Sequence, residues 1–228
     1  MSDSAGRGKA REGSPKPPEV RRRIPAVESR KLILEAALDV FAKGGYQETK
    51  LDEVAEKAGV SKALIYEHFS SKRELYKEIL ETWVGELLGR VLAAATAAGE
   101  RSEDRLVAGL DGLLAFVEER RDAWRLLVRH RASDDVTDTW DRLFEEVARI
   151  IGAMMAPEMP KSSLPEGADF GLVLEATSRQ LIGAVTAIAN WWDEHREVPR
   201  EQVLAMVMEF AWVGMERASA GERWSPDQ

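Results

Sequence analysis

The polar side chains best placed for chemistry in this sequence lie within a short segment that contains two lysines. Lys62 and Lys72 are cations, and Tyr66 and His68 add a hydroxyl and an imidazole between them. Lysine binds phosphate oxygens or the acceptor edge of guanine, and hydroxyl and imidazole groups hydrogen-bond to similar partners. A lysine beside free amides at a helix start is also a good phosphate contact. Whether these side chains can contact a polyanion depends on the elements that position them.

Two short helices joined by a tight turn are predicted around these residues. Thr49 is expected to cap the first helix and Ser61 the second, because both side chains can accept a hydrogen bond from a free amide. Gly59 between them can adopt the left-handed conformation that a sharp turn needs. Val60 and Ile65 are expected to fill the angle between the helices. This is the arrangement of a helix-turn-helix, whose second helix enters the DNA major groove.

The same stretch resembles the TetR family of bacterial transcriptional regulators, from about Ser29 to Leu80. The resemblance is carried by Gly45-Tyr46, Thr49, Val54-Ala55, Ala58-Gly59-Val60-Ser61, Ile65-Tyr66, His68-Phe69, Ser71-Lys72 and Leu75. It implies a three-helix DNA-binding domain followed by a helical domain for ligand binding and dimerisation. It also implies a repressor more than an activator, and phosphate contacts by Tyr46 and Thr49. With this resemblance, Lys62 at the start of the recognition helix is expected to reach a phosphate or a guanine edge. Tyr66 and His68 are expected to project from that helix, and Lys72 at the start of the next helix to contact a phosphate.

One departure from the family pattern falls inside the predicted recognition helix. Ala63 and Leu64 stand where the family commonly has glycine followed by threonine or serine. Two polar contacts are therefore missing, and we expect these side chains to meet a thymine methyl instead. A core position for Tyr66, and a surface position without DNA contact for His68, remain open alternatives.

The first 27 residues are predicted to form a disordered basic tail. Gly, Ser, Pro and charged residues dominate there, so little apolar surface is available to offset the entropy of ordering. Arg22 and Arg23, just ahead of the first helix, are candidates for contact with an adjacent minor groove. An inert, solvated tail is the alternative.

The charge balance separates the two parts of the chain. Residues 1–77 carry 16 Lys and Arg against 12 Asp and Glu, whereas the remainder carries 16 against 28. The basic N-terminal part is suited to binding nucleic acid, and the acidic C-terminal part requires another role.

The absence of cysteine excludes disulfides and thiolate chemistry. No phosphate-binding Gly-rich loop, nucleophile elbow or HExxH motif is present, so no enzyme and no cofactor is predicted.

Helical periodicity continues to about Ala218 in the acidic part, and no strand pattern appears. The predicted fold is all-α, with a tail at 1–27, a helix-turn-helix domain at 28–71, a ligand-binding and dimerisation domain at 72–219, and a second tail at 220–228. No apolar run is long enough to span a membrane. The N-terminus also lacks the apolar stretch of a secretory signal, so a cytoplasmic location is expected.

The last two predicted helices are apolar over more than one face, which is typical of helices with two sets of neighbours. We expect them to pair with their symmetry mates in a four-helix interface. The residues assigned to it are Leu181, Val185, Ile188, Trp192, Val207, Phe210 and Ala211. A monomeric core is the alternative.

The middle helices are rich in aromatic residues and Met, which can line an adaptable apolar pocket. The residues assigned to it are Trp83, Leu87, Phe116, Trp124, Leu127, His130, Trp140 and Phe144. An ordinary core is the alternative.

The sequence predicts a ligand-responsive repressor that binds a palindromic operator as a homodimer and releases it when a small-molecule effector binds. A ligand-independent activator or architectural protein and a helical interaction module are the competing functions.

Overall fold

The computed structural model describes residues 25–129, 134–159, 164 and 167–219, and these form an all-α structure without strands. The predicted fold class is confirmed. The helices are α1 (Ala26–Glu48), α2 (Leu51–Ala58), α3 (Lys62–His68), α4 (Lys72–Ala97), α5 (Ser102–Glu119), α6 (Arg121–Arg129), α7 (Asp134–Met155), α8 (Phe170–Glu194) and α9 (Arg200–Ser219). A short 3-10 helix, Ala156–Glu158, follows α7.

The end of α1 bends at Gly45. Gly45 has φ 73° and ψ 172°, a conformation that side chains rarely adopt, and the chain then continues to Glu48. Thr49 follows with its hydroxyl buried, donating to the carbonyl of Val40 at 3.4 Å. The prediction that Thr49 caps α2 is therefore wrong: Lys50 occupies the cap position, and Thr49 instead closes the bend onto α1.

The turn between α2 and α3 has the predicted geometry. Gly59 is left-handed at φ 67° and ψ 27°, and the amide of Val60 donates to the carbonyl of Ala55 at 3.0 Å. The Ser61 hydroxyl accepts from the amide of Leu64 at 3.2 Å, which confirms it as the cap of α3. These contacts fix the direction in which α3 leaves the turn.

One apolar core joins the first three helices to the rest of the chain. Ile33 and Phe41 of α1, Ile65 of α3 and Leu75 of α4 are fully buried in it, and Phe69 is 1% exposed. Phe69 is thus a core aromatic. The guanidinium of Arg30 covers its ring at 4.7 Å and also pairs with Glu78 of α4. The position of α3 is therefore tied to α1 and α4.

Helix α6 lies between α1 and the distal helices. Its apolar side chains, among them Leu126 and Leu127, are buried in the shared core, and the helix packs against α1. Trp124 donates its indole N–H to the side-chain carbonyl of Asn190 on α8 at 3.0 Å. Helix α6 therefore contacts both α1 and α8.

A buried carboxylate adds charged contacts between α6 and α8. Asp193, whose side chain is 2% exposed, accepts hydrogen bonds from Arg121 at 3.0 Å, Arg125 at 2.7 Å and Arg196 at 2.6 Å. Burial opposes ionisation, but these three guanidinium groups outweigh it and lower the pKa of Asp193 to about 2. Arg196 also covers the ring of Trp192 at 4.7 Å.

Helix α8 is long and apolar enough, by length and composition, to cross a membrane, although the sequence pattern predicts no such segment. This is weak support for a membrane span, because helices of soluble proteins pass the same test. Only 17% of its most apolar window is buried within the chain. Much of the apolar surface of α8 is therefore left uncovered.

Candidate nucleic-acid interface

Helix α3 presents one continuous face to solvent. Lys62, Ala63, Tyr66 and Glu67 are exposed on it, with Tyr66 51% exposed. Ile65 points the other way and is fully buried. Because these four positions follow an i, i+1, i+4, i+5 pattern, their side chains share one side of the helix. An exposed helix face of this kind can enter a major groove.

Lys62, the cation of this face, is held by a neighbour in α2. Its ammonium group lies 2.8 Å from a carboxylate oxygen of Asp52, and about half of each side chain or more is exposed. The hydrogen bond to Asp52 raises the pKa of Lys62. A contact between Lys62 and DNA must therefore be shared with Asp52 or must replace it.

Lys72 and Tyr46 meet beside the start of α4. The ammonium group of Lys72 donates to the carbonyl of Gln47 at 3.0 Å and lies 4.6 Å from the centre of the Tyr46 ring. The Tyr46 ring is mostly buried, packed edge to face against Tyr76 with centroids 5.0 Å apart. The two predicted phosphate contacts are thus brought together, with the lysine held at the end of α1.

Two other residues predicted to touch DNA are turned toward the protein. Thr49 is 2% exposed, so its side chain is not open to a phosphate in this conformation. The Nε2 atom of His68 lies 2.8 Å from the hydroxyl of Ser29, and this hydroxyl donates to the carbonyl of Ala26. The histidine nitrogen must then donate, since serine has one hydrogen to give. His68 therefore joins α3 to α1 and lies apart from the exposed face of the helix.

Leu64 is half-buried, whereas Ala63 is exposed beside Lys62. Of the apolar pair predicted to meet a thymine methyl, Ala63 is the residue open to a ligand. Sequence reasoning also missed two residues at this surface, Asp52 and Glu67. The signal for both was present in the sequence: Asp52 lies in the first turn of α2, and Glu67 is five residues after Lys62 on the same helix face.

The residues assigned to a ligand pocket are mostly packed in the core. Phe116 is fully buried, Trp124 and Leu127 are at most 5% exposed, and Trp83 and Leu87 pack half-buried against the same cluster. Phe144 is half-buried on α7, with the guanidinium of Arg179 5.4 Å from its ring centre. These contacts favour the alternative of an ordinary core in this conformation.

A cleft of about 270 Å³ lies between α4 and α7 and is not lined by any of the predicted pocket residues. Its lining is Glu81, Val84, Gly85, Leu88, Leu143, Glu146 and Val147. His130, Arg22 and Arg23 lie outside the described residues, as does the side chain of Trp140.

The predicted interface residues of α8 and α9 also divide by burial. Val185, Trp192, Val207 and Ala211 are at most 9% exposed and pack within their own chain, so they have little surface left for a partner. Leu181 and Ile188 are half-buried and pack against the cluster that contains Leu110. Phe210 alone of the predicted set is widely exposed, at 73%.

The apolar surface open to a partner is a different set of side chains on the same two helices. We call it the outer face. It consists of Leu172, Ala176, Gly183, Ala187 and Trp191 on α8, with Ala205, Met206, Phe210 and Val213 on α9. The two sets differ because both helices are apolar around most of their circumference. The sequence pattern therefore does not indicate which side of each helix faces the core.

Comparisons with known proteins match this architecture along most of its length. Residues 33–79 match the bacterial regulatory proteins of the tetR family, and residues 102–214 match a C-terminal domain described as tetracyclin repressor-like. The chain belongs to the TetR family. The second match extends the likeness well beyond Leu80, where the resemblance seen in the sequence ended.

Relatives of similar length support this assignment. The transcriptional activator FasR of Mycolicibacterium smegmatis is 30% identical over 199 residues, which cover 85% of each chain. The uncharacterised regulator YhgD of Bacillus subtilis is 28% identical, over 83% of this chain and 98% of its own. This TetR-family protein is a DNA-binding transcriptional regulator.

Solved structures share the fold. A transcriptional regulator from Pseudomonas aeruginosa PAO1 superposes with a TM-score of 0.70 at 19% identity, covering 90% of this chain and 99% of that one. FadR from Bacillus subtilis, solved in complex with stearoyl-CoA, superposes at 0.66 with 14% identity, covering 85% and 99%. At these identities the likeness establishes the helical architecture.

Proposed function

We propose that this regulator binds a palindromic operator as a homodimer, with α3 of each protomer in one of two successive major grooves. The observation that carries the proposal is the exposed face of α3, which the Ser61 cap and the Gly59 turn hold outward from the core. A single helix of seven residues contacts few base pairs, so a symmetric pair of half-sites about 34 Å apart supplies the remaining specificity.

The homodimer is supported by the outer face of α8 and α9. Phe210 is 73% exposed, Leu172 67%, Val213 47% and Met206 46%. Large apolar side chains exposed together on two neighbouring helices are typical of an interaction site. Gly183 and Ala187 lie on the same face of α8, where small residues allow two helices to approach closely. A second copy of the chain, packed as a four-helix interface, covers this surface.

We also propose that a small-molecule effector controls DNA binding by a shift between conformations. An effector can change DNA affinity only if it binds one conformation more tightly than the other. Helix α4 begins beside α3 and packs along α5, and α6 connects α8 to α1. These helices offer two routes by which a change among the distal helices alters the spacing of the two α3 helices.

The direction of regulation has two candidates. Release of a repressor by its effector is the function that the family resemblance favours. Activation is the second candidate, because the full-length relative FasR is named a transcriptional activator. Expression from the gene's own upstream region, compared in a strain with and without the regulator, distinguishes the two. We expect the protein to act in the cytoplasm, where its DNA lies.

The experiment that tests DNA recognition is selection of bound duplexes from a random-sequence pool. We expect an enriched palindrome whose half-site spacing corresponds to one helical turn. Lys62→Ala and Tyr66→Ala should each weaken binding to that sequence, whereas Arg101→Ala, an exposed cation at the start of α5, should leave it unchanged. A pool without an enriched sequence, or equal binding by all four proteins, would refute the assignment of α3 as the reading helix.

A further inference from the structure

The exposed face of α3 carries a carboxylate as well as a cation. Glu67 is exposed beside Tyr66 and shares that face with Lys62 and Ala63. Among the described side chains, no hydrogen bond or ion pair engages Glu67, and Lys62 is already paired with Asp52. In the free protein, the Glu67 carboxylate is therefore solvated by water.

Such a charge is costly in a groove of DNA. Both walls of the major groove carry phosphates, which repel a carboxylate, and entry into the groove removes part of its water. This cost is offset where a base presents a hydrogen-bond donor to the carboxylate. Glu67 on a DNA-reading face thus requires a donor from the operator.

The bases differ in what they present to a carboxylate in the major groove. Guanine presents two acceptors, and thymine an acceptor and a methyl group. Adenine presents its N6 donor next to the N7 acceptor, which repels the second carboxylate oxygen. Cytosine presents its N4 donor alone, so it is the base that best fits Glu67.

We propose that Glu67 is a specificity-determining residue that selects cytosine at one position of each operator half-site. This inference rests on the proposed role of α3 as the reading helix. Tyr66 and Glu67 lie one helical turn beyond Lys62, so the cytosine lies beside the bases or phosphates that Lys62 contacts. Sequence-specific recognition would then use the acidic residue of this face together with its cation.

The test compares the wild-type dimer with Glu67→Ala and Glu67→Gln in selection from a random-sequence duplex pool. Fluorescence anisotropy then measures affinity for the selected duplex and for single-pair variants of it. For the wild type, replacing the cytosine should weaken binding by about 5- to 150-fold, the equivalent of one good base contact. Glu67→Ala should reduce this penalty to within about threefold, and Glu67→Gln should move the preference to adenine, which glutamine binds through N6 and N7.

Glu56→Gln is the matched control, because Glu56 is an exposed carboxylate on α2 that lines a shallow groove with Asp39 and Lys57, away from α3. It changes the net charge by the same amount and should leave every base preference intact. If Glu67→Ala selects the same bases as the wild type, whether it binds more tightly or equally, the inference is wrong while the reading role of α3 stands. If the wild type itself selects no sequence, the proposed function fails first.

Discussion

The strongest test of the internal architecture is Asp193→Asn, which removes the charge that joins α6 to α8. The pKa of Asp193 is about 2 in the folded protein, compared with 3.8 for an unperturbed carboxyl group. Since each pKa unit corresponds to about 1.4 kcal/mol, ionised Asp193 contributes about 2 kcal/mol to the free energy of unfolding at neutral pH. The variant should lose at least this amount and up to about 5 kcal/mol, because three guanidinium groups are left without their common partner.

The stabilisation by Asp193 should decrease as the pH falls. A carboxyl group with a lowered pKa in the folded state stabilises the protein above its unfolded-state pKa and loses that effect as the pH falls toward the folded-state value. The difference in unfolding free energy between wild type and Asp193→Asn should therefore be constant from about pH 8 to pH 5 and shrink below pH 4. Urea unfolding followed by tryptophan fluorescence, at a fixed protein concentration, measures it.

Glu175→Gln is the control for this experiment, because its pair with Arg179 on α8 is exposed. Exposed pairs contribute about 0–1 kcal/mol, so its effect should be much smaller. Equal stability of wild type and Asp193→Asn at pH 7, or a difference that does not change down to pH 3, would refute the role assigned to the three arginines.

Three further substitutions test the proposed dimer interface, the cap of α3 and the Lys62–Asp52 ion pair. Phe210→Glu puts a charge on the outer face and should yield a helical monomer by light scattering; an intact dimer would exclude this face as the interface. Ser61→Ala removes the cap of α3 and should cost about 1 kcal/mol of stability, so unchanged urea unfolding would show the hydrogen bond to be unimportant. Asp52→Asn frees Lys62 and should tighten DNA binding by about two- to fivefold, as an exposed pair allows. That gain should be smaller in the Lys62→Ala background, where only the lost repulsion between Asp52 and the DNA phosphates remains. Anisotropy measurements that show the same gain there would contradict the pairing argument.

The fold and the turn were predictable because local chemistry determines them. Gly59 adopts the predicted left-handed conformation and Ser61 caps α3, and both roles involve only residues nearby in the chain. Thr49 was mispredicted because two local uses compete for its hydroxyl, and the bend at Gly45 brings the carbonyl of Val40 within its reach. Sequence alone does not reveal such a bend-dependent choice.

Which residues of α8 and α9 lie in the core and which lie on the outer face could not be predicted, for a different reason. Val207 and Phe210 are both apolar and three residues apart, yet the first is 6% exposed and the second 73%. Which side of each helix turns inward depends on its angle to α5 and to the other distal helices, a tertiary property. His68 illustrates the same limit, because its partner Ser29 is 39 residues away in the chain.

The position of α6 has a consequence for engineering chimeric regulators. The side of α1 that α6 covers is apolar, and Ile33 and Phe41 share one core with Leu126. A graft that transfers only the first three helices onto another sensor would expose that surface or force it against a foreign helix. An exchange that keeps α1 with its own α6, or that transplants the pair together, preserves the apolar packing between these two helices.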